Sequence, residues 1–163
     1  MRRGYRHRPT SKAPALGVLA VSCLFTMASA AAQDTQERAL SRTIDDPQLE
    51  WMACPEFMPE GCEFTILHGD PEADNADVFF KVPGNATVPR HWHTSAERMV
   101  LVTGEMHLDY DDQDLMELEP GTYIFGPAEL PHEAICVSDD PCVLFIAFEA
   151  PVDAIPVDGS PEN

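Results

Sequence analysis

His91-Trp92-His93-Thr94-Ser95-Ala96-Glu97, followed after six residues by Gly104, is the stretch on which the fold turns. In a β-strand, residues i and i+2 point to the same face about 6.7 Å apart, so His91 and His93 can aim both rings at one point while Trp92 faces away. Glu97 stands four residues beyond His93. On a straight strand its carboxylate would lie roughly 13 Å further along, out of reach of anything the two rings share. The chain must therefore fold back at Thr94-Ser95-Ala96, with Glu97 opening an antiparallel strand that Gly104 ends. Three imidazoles and one carboxylate make a transition-metal site with coordination positions to spare, and His132 is the candidate for the third imidazole.

Outward from this hairpin, short apolar runs are separated by turn chemistry: Gly-Asp-Pro, Pro-Gly-Asn, Asp-Asp-Gln-Asp, Glu-Pro-Gly, Gly-Pro-Ala and Ser-Asp-Asp-Pro. Strands are predicted at 63–67, 78–82, 90–93, 98–102, 105–110, 115–118, 122–125, 132–137 and 143–148. No stretch long enough for a core helix shows a 3.6-residue repeat. The expected fold class is all-β, a single domain built as a β-barrel or double-sheet jelly roll.

The stretch from Pro83 to Gly104 resembles the first motif of the cupin superfamily, His-x-His-x-x-x-Glu-x-x-x-x-x-x-Gly. A second motif follows as Gly121, five residues, Pro127, then His132. Where that pattern usually has a glycine two residues after the proline, this chain has Glu129; where it has an asparagine four residues after the histidine, this chain has Cys136. Neither position supplies a usual ligand. The likeness runs from about Glu63 to Phe148 and implies a cupin-type jelly-roll barrel gripping one divalent transition metal ion, Fe, Mn, Ni, Co, Cu or Zn, through His91, His93, Glu97 and His132. With His68-Gly69-Asp70-Pro71 ahead of the first motif and Glu119-Pro120-Gly121-Thr122-Tyr123 around the start of the second, the chain is also similar to small bacterial cupins of the anti-sigma-factor type.

Four protein ligands on an octahedral metal leave two adjacent positions. The resemblance thus implies either a metal-dependent enzyme on a small organic oxygen compound, most plausibly a dioxygenase and less so an isomerase or lyase, or a non-catalytic module binding metal or a small ligand. Tyr123 is the candidate acid or base, against the plainer reading of an aromatic filling the barrel. Met99 occupies the position, two after Glu97, where cupin lyases acting on dimethylsulfoniopropionate carry a tyrosine, which argues against that chemistry. Met99, Phe80, Phe125 and Phe145 are candidates for an apolar lining, Arg90 and Arg98 are expected to point outward with Trp92, and His68 and His107 read as ordinary strand residues.

Arg2, Arg3, Arg6, Arg8 and Lys12 precede an apolar run over 13–28 and Ser29-Ala30-Ala31-Ala32, so residues 1–32 read as a signal peptide. That run is shorter than the roughly 20 residues of a membrane span, so no membrane anchor is expected and the protein is expected to be exported, periplasmic or secreted. Loss of the leader would leave five basic residues against 28 acidic ones, a net charge of −23 that repels nucleic acid and anionic lipid. About 130 residues then remain, enough for one domain over 51–150, flanked by flexible segments at 33–50 and 151–163. Four cysteines remain in an oxidising compartment; of the three connectivities they permit, the local pairs Cys54–Cys62 and Cys136–Cys142 are expected. A thiolate metal site is disfavoured because no Cys-x-x-Cys occurs. A small-molecule ligand or substrate is the expected partner, and edge strands of such barrels allow a homodimer.

Overall fold

A computed structural model describes residues 38–157, so the signal-peptide reading of 1–32 lies outside the described residues. The strands are β1 (Met52–Ala53), β2 (Glu63–His68), β3 (Asp77–Val82), β4 (Thr87–Trp92), β5 (Glu97–Thr103), β6 (Met106–Tyr110), β7 (Met116–Leu118), β8 (Tyr123–Gly126), β9 (His132–Cys136), β10 (Cys142–Phe148) and β11 (Ile155–Pro156). They form two antiparallel sheets, ordered β1-β2-β3-β10-β5-β8 and β11-β4-β9-β6-β7. The fold is all-β, and among the described residues its barrel lies within the compact unit that starts at Leu40.

Period-two alternation sets which side chains face the core. On β5, Glu97, Met99 and Leu101 are buried while Arg98 and Val100 are half-buried on the other face. On β6 the buried set is Met106, Leu108 and Tyr110, and on β9 it is His132, Ala134 and Cys136. Val78, Val82, Leu144 and Ile146 from the larger sheet pack with Val88, Met106, Leu108 and Ala134 from the smaller one, so the core is the space between the sheets. The site is therefore built into one end of that core, not on a surface loop.

β4 starts at Thr87, ahead of the expected 90–93, and carries Pro89 in its middle. A proline has no N–H for the ladder, and the pairing with β9 shifts register between Val88 and His91, a bulge that accommodates it. Gly104 sits at φ 82 in the turn after β5, and a Cβ there would meet Cys142 Sγ at 2.7 Å. The motif's glycine is thus required twice, by its backbone and by its neighbour.

Both expected disulfides are formed, Cys54–Cys62 and Cys136–Cys142, with Cα atoms 5.5 and 5.7 Å apart. Among the described residues no helix is long and apolar enough to cross a membrane. The expectation of a flexible segment from 151 onward is corrected for its first part. Ile155 and Pro156 pair with Trp92 and His91, Val152 N–H donates to Pro71 O at 2.9 Å, and Val157 N–H donates to Arg90 O at 3.1 Å. Backbone bonding, which leaves no mark in side-chain periodicity, ties this segment down. Within the expected flexible lead-in, 43–49 forms two successive turns closed by Asp46 N–H to Thr43 O and Leu49 N–H to Asp46 O.

Candidate metal centre

His91 on β4 and His132 on β9 are directly paired residues, and their rings lie 4.3 Å apart. His93 follows β4 by one residue, with its ring 4.8 Å from that of His91 and 5.3 Å from that of His132. All three are buried, and one ring nitrogen from each falls within 4.8 Å of the others, a spacing that can hold a metal ion.

The other ring nitrogen of each histidine meets a backbone carbonyl. His91 Nδ1 lies 2.8 Å from Pro89 O, His132 Nδ1 lies 3.2 Å from Leu130 O, and His93 Nδ1 is hydrogen-bonded to Asp153 O. A carbonyl only accepts, so each Nδ1 carries the proton and each Nε2 presents its lone pair. Burial, then repulsion from His93, lowers the His91 pKa to about 4; burial, then repulsion from His91 and His93, lowers that of His132 to about 3. His93 is lowered too, by burial, against the opposing pull of Asp153. At neutral pH the three rings are neutral bases.

Glu97, only 3% exposed, reaches the same place because the turn after His93 reverses the chain. Buried Ser95 pins that turn: its Oγ accepts the N–H groups of Glu149 and Ala150, each at 2.9 Å, and donates to Ala96 O at 2.8 Å. Glu97 Oε1 stands 3.4 Å from His93 Nε2. The pair is not ionic without a cation, since burial lowers the ring's pKa and raises the carboxyl's to about 8, with the Asp153 carboxylate adding to the latter.

The donor set fits a divalent metal. Three lone pairs converge with no donor among them, and a buried carboxyl stands ready to ionise beside a cation. The Tyr110 hydroxyl is buried beside this group without a hydrogen-bond partner. It lies close to Gly126, where a Cβ would meet Tyr110 Oη at 2.4 Å and Glu97 Oε2 at 3.2 Å.

From this polar end a cavity of about 180 Å³ runs into the core. Val78, Phe80, Val88, Met99, Leu108, Leu144 and Ile146 line it, with Cys54, Pro55 and Met58 of the first disulfide loop and Val152, Asp153 and Ala154 of the C-terminal segment. Among the described residues, no lysine or arginine is in the lining.

The four expected ligands come together, with Glu97 beside the histidine trio. The expectation for Tyr123 is corrected: it is 61% exposed on the outer face of β8, because Ile124 and Gly126 take the inward positions of that strand. Phe125 is outside for the same reason. Phe145 packs edge-on against Phe79, away from the cavity, whereas Phe80 and Met99 line it as expected. Arg90 and Arg98 form ion pairs with Asp111 and Glu149, and neither they nor Trp92, His68 or His107 line the cavity. Sequence reasoning missed Tyr110, Ser95 and Asp153. Strand parity would have found Tyr110, two residues beyond Leu108 on an apolar face; nothing local marks Asp153.

No curated protein matches the chain. Among solved structures, the polyketide cyclase RemF from Streptomyces resistomycificus is 22% identical, with a TM-score of 0.60 over 76% of this chain and 89% of that one. The DMSP lyase DddQ from Ruegeria pomeroyi DSS-3 is 17% identical, with a TM-score of 0.58 over 67% of this chain and 61% of the lyase, so the chain spans less than two thirds of that enzyme's length. A cupin-2 domain protein from Rhodospirillum rubrum, Rru_A2000, is 13% identical, with a TM-score of 0.60 over 75% and 84% of the two chains. Likeness at these identities shows the fold. The family model described as the ChrR cupin-like domain matches residues 41–151, and the chain belongs to that family.

Proposed function

We propose that this protein is an exported, divalent-metal-dependent cupin that carries out dioxygenase-type chemistry on a small, uncharged organic oxygen compound. The observation that carries the reading is the contrast within one cavity: three imidazole lone pairs at one end, apolar walls elsewhere, and no cationic side chain. His91, His93 and His132 would hold the metal, and Glu97 would give up its proton to serve as the fourth ligand. A metal bound there would supply Lewis acidity and adjacent positions for dioxygen and a substrate oxygen.

The walls select the substrate. Val78, Phe80, Met99 and Ile146 offer an apolar body contact area and keep water out, while an anionic group placed away from the metal would find the Asp153 carboxyl and, among the described lining residues, no side-chain cation. A volume near 180 Å³ is of the order that encloses a benzene-sized molecule, which sets the scale at about one ring with small substituents. Lyase or isomerase chemistry needs a base at a substrate carbon. Among the described residues, the one ionisable side chain in the lining outside the four candidate ligands is Asp153, whose carboxylate is engaged by Thr94. The two disulfides support an oxidising compartment.

The test is oxygen consumption by Fe(II)-loaded protein with a panel of phenols and β-diketones, alongside carboxylated analogues. Faster turnover of the neutral members than of their carboxylated analogues is expected. Stoichiometric metal uptake without oxygen consumption across metals and substrates would replace this reading with the non-catalytic binding module.

A further inference from the structure

Two of the three site histidines carry their own support. His91 and His132 each hydrogen-bond the carbonyl two residues earlier in the chain, Pro89 O and Leu130 O, so the strand that brings the ring also orients it. His93 has no such partner. Its Nδ1–H is held by Asp153 O, 60 residues away.

The segment that supplies this carbonyl is itself fastened at several points. The Asp153 carboxylate accepts Thr94 N–H at 3.0 Å through Oδ1 and the Thr94 hydroxyl at 2.6 Å through Oδ2, gripping the residue that follows His93. Downstream, Ile155 and Pro156 pair with Trp92 and His91. Upstream, Val152 N–H is bonded to Pro71 O. Val152, Asp153 and Ala154 meanwhile form part of the cavity wall. Residues 151–157 thus close one side of the cavity and orient one ligand.

We propose that residues 151–157 are a working part of the site, a strap in which Asp153 is the positioning residue for His93, its carbonyl setting the ring's tautomer and its carboxylate locking the strap to Thr94. A ring freed of this bond can rotate and carry its proton on Nε2, which removes the lone pair from the cavity. Outer partners of this kind typically contribute about 10–100-fold to metal affinity.

The proposal rests on the metal reading only for its affinity arm, so two measurements are made on the full chain. In metal-free protein, nitrogen-15 NMR of the imidazoles is expected to show His93 as the Nδ1–H tautomer with a slowly exchanging proton. In Asp153→Ala and in Thr94→Val that proton exchanges faster and the tautomer mixes, while the His91 and His132 signals stay in place and report an intact barrel. In parallel, the Kd for Zn(II) rises about 10-fold or more in Asp153→Ala, and Asp153→Asn, which keeps an acceptor for Thr94 N–H, recovers part of the loss. An unchanged His93 signal in both variants overturns the proposal, as does a freed His93 with unaltered Zn(II) affinity. Wild-type protein that takes up no Zn(II) counts against the metal reading, and the NMR comparison then decides the strap by itself.

Discussion

Tyr110 and His132 are paired residues on β6 and β9 with ring centroids 4.7 Å apart, and the same row continues to His91 on β4. One register across three strands therefore lines up two ligands and a buried phenol whose pKa is raised by burial and by nearby Glu97. The phenol stays protonated and its hydroxyl has no partner.

A buried, unsatisfied hydroxyl costs folding free energy, on the order of 1–3 kcal/mol. Tyr110→Phe is expected to stabilise the metal-free protein by about 1 kcal/mol, read as a higher urea midpoint at unchanged slope. Destabilisation would mean that the hydroxyl is satisfied in solution, by water or by Glu97.

His132→Ala removes one of three converging imidazoles while leaving His91, His93 and Glu97 in place. Elemental analysis of protein purified from its native compartment is expected to show clearly less metal in the variant than the roughly one per chain of wild type, since the site falls from four protein ligands to three. Equal metal content in wild type and variant would sink the assignment.

Metal binding should release a proton, and the pKa shifts say from where. At pH 6.5 His91 and His132, at about 4 and about 3, are already neutral, and Glu97, at about 8, still holds its proton. Calorimetric titration in two buffers of different ionisation enthalpy is expected to show release of about one proton per metal at that pH, vanishing well above pH 8 and abolished in Glu97→Gln. Proton release that persists in Glu97→Gln would assign it to another group.

Without metal, the same shifts act in opposite directions on stability. The lowered histidines contribute stability that is present above pH 6.5 and lost as the pH falls toward 4; raised Glu97 contributes stability that is present below pH 4.5 and lost as the pH rises through 8. Two or three histidines outweigh one carboxyl between pH 4.5 and 6.5. The metal-free protein is expected to be most stable near pH 6.5, measured as urea midpoint against pH, and a monotonic rise beyond pH 8 would contradict the burial of Glu97.

Glu129 occupies the position where the cupin pattern usually has glycine, and it adopts φ 61. Left-handed backbone costs a non-glycine residue roughly 1–2 kcal/mol, against about 0.5–1 kcal/mol of extra chain entropy that glycine must lose on folding. Glu129→Gly is expected to gain up to about 1 kcal/mol in denaturant unfolding, with the hydrogen bond from residue 129 N–H to His93 O preserved. A clear loss would show the side chain supporting that turn.

Much of the barrel was legible beforehand because strands bounded by Gly, Pro, Asn and Asp carry their own punctuation. β2, β3, β5, β6, β7, β8, β9 and β10 each begin within one residue of the predicted start. β1 and β11 were missed because two-residue strands have no periodicity to read. Tyr123 was mistaken for an inward residue since parity gives two alternating faces and not which of them is inside; Ile124 and Gly126 decide that only once β8 lies beside β5.

His91, His93, Glu97 and His132 were marked as ligand candidates by the sequence itself, through ligand chemistry, strand alternation and a motif whose spacing admits one turn. Tertiary structure alone decided what surrounds them: Tyr110 in register with His132, Ser95 pinning the turn, and Asp153 reaching back to His93. The reason is range. Alternation and turn chemistry are properties of a few consecutive residues, whereas the bond from His93 to Asp153 exists only after β11 has paired with β4 and brought residues 60 apart into hydrogen-bond contact.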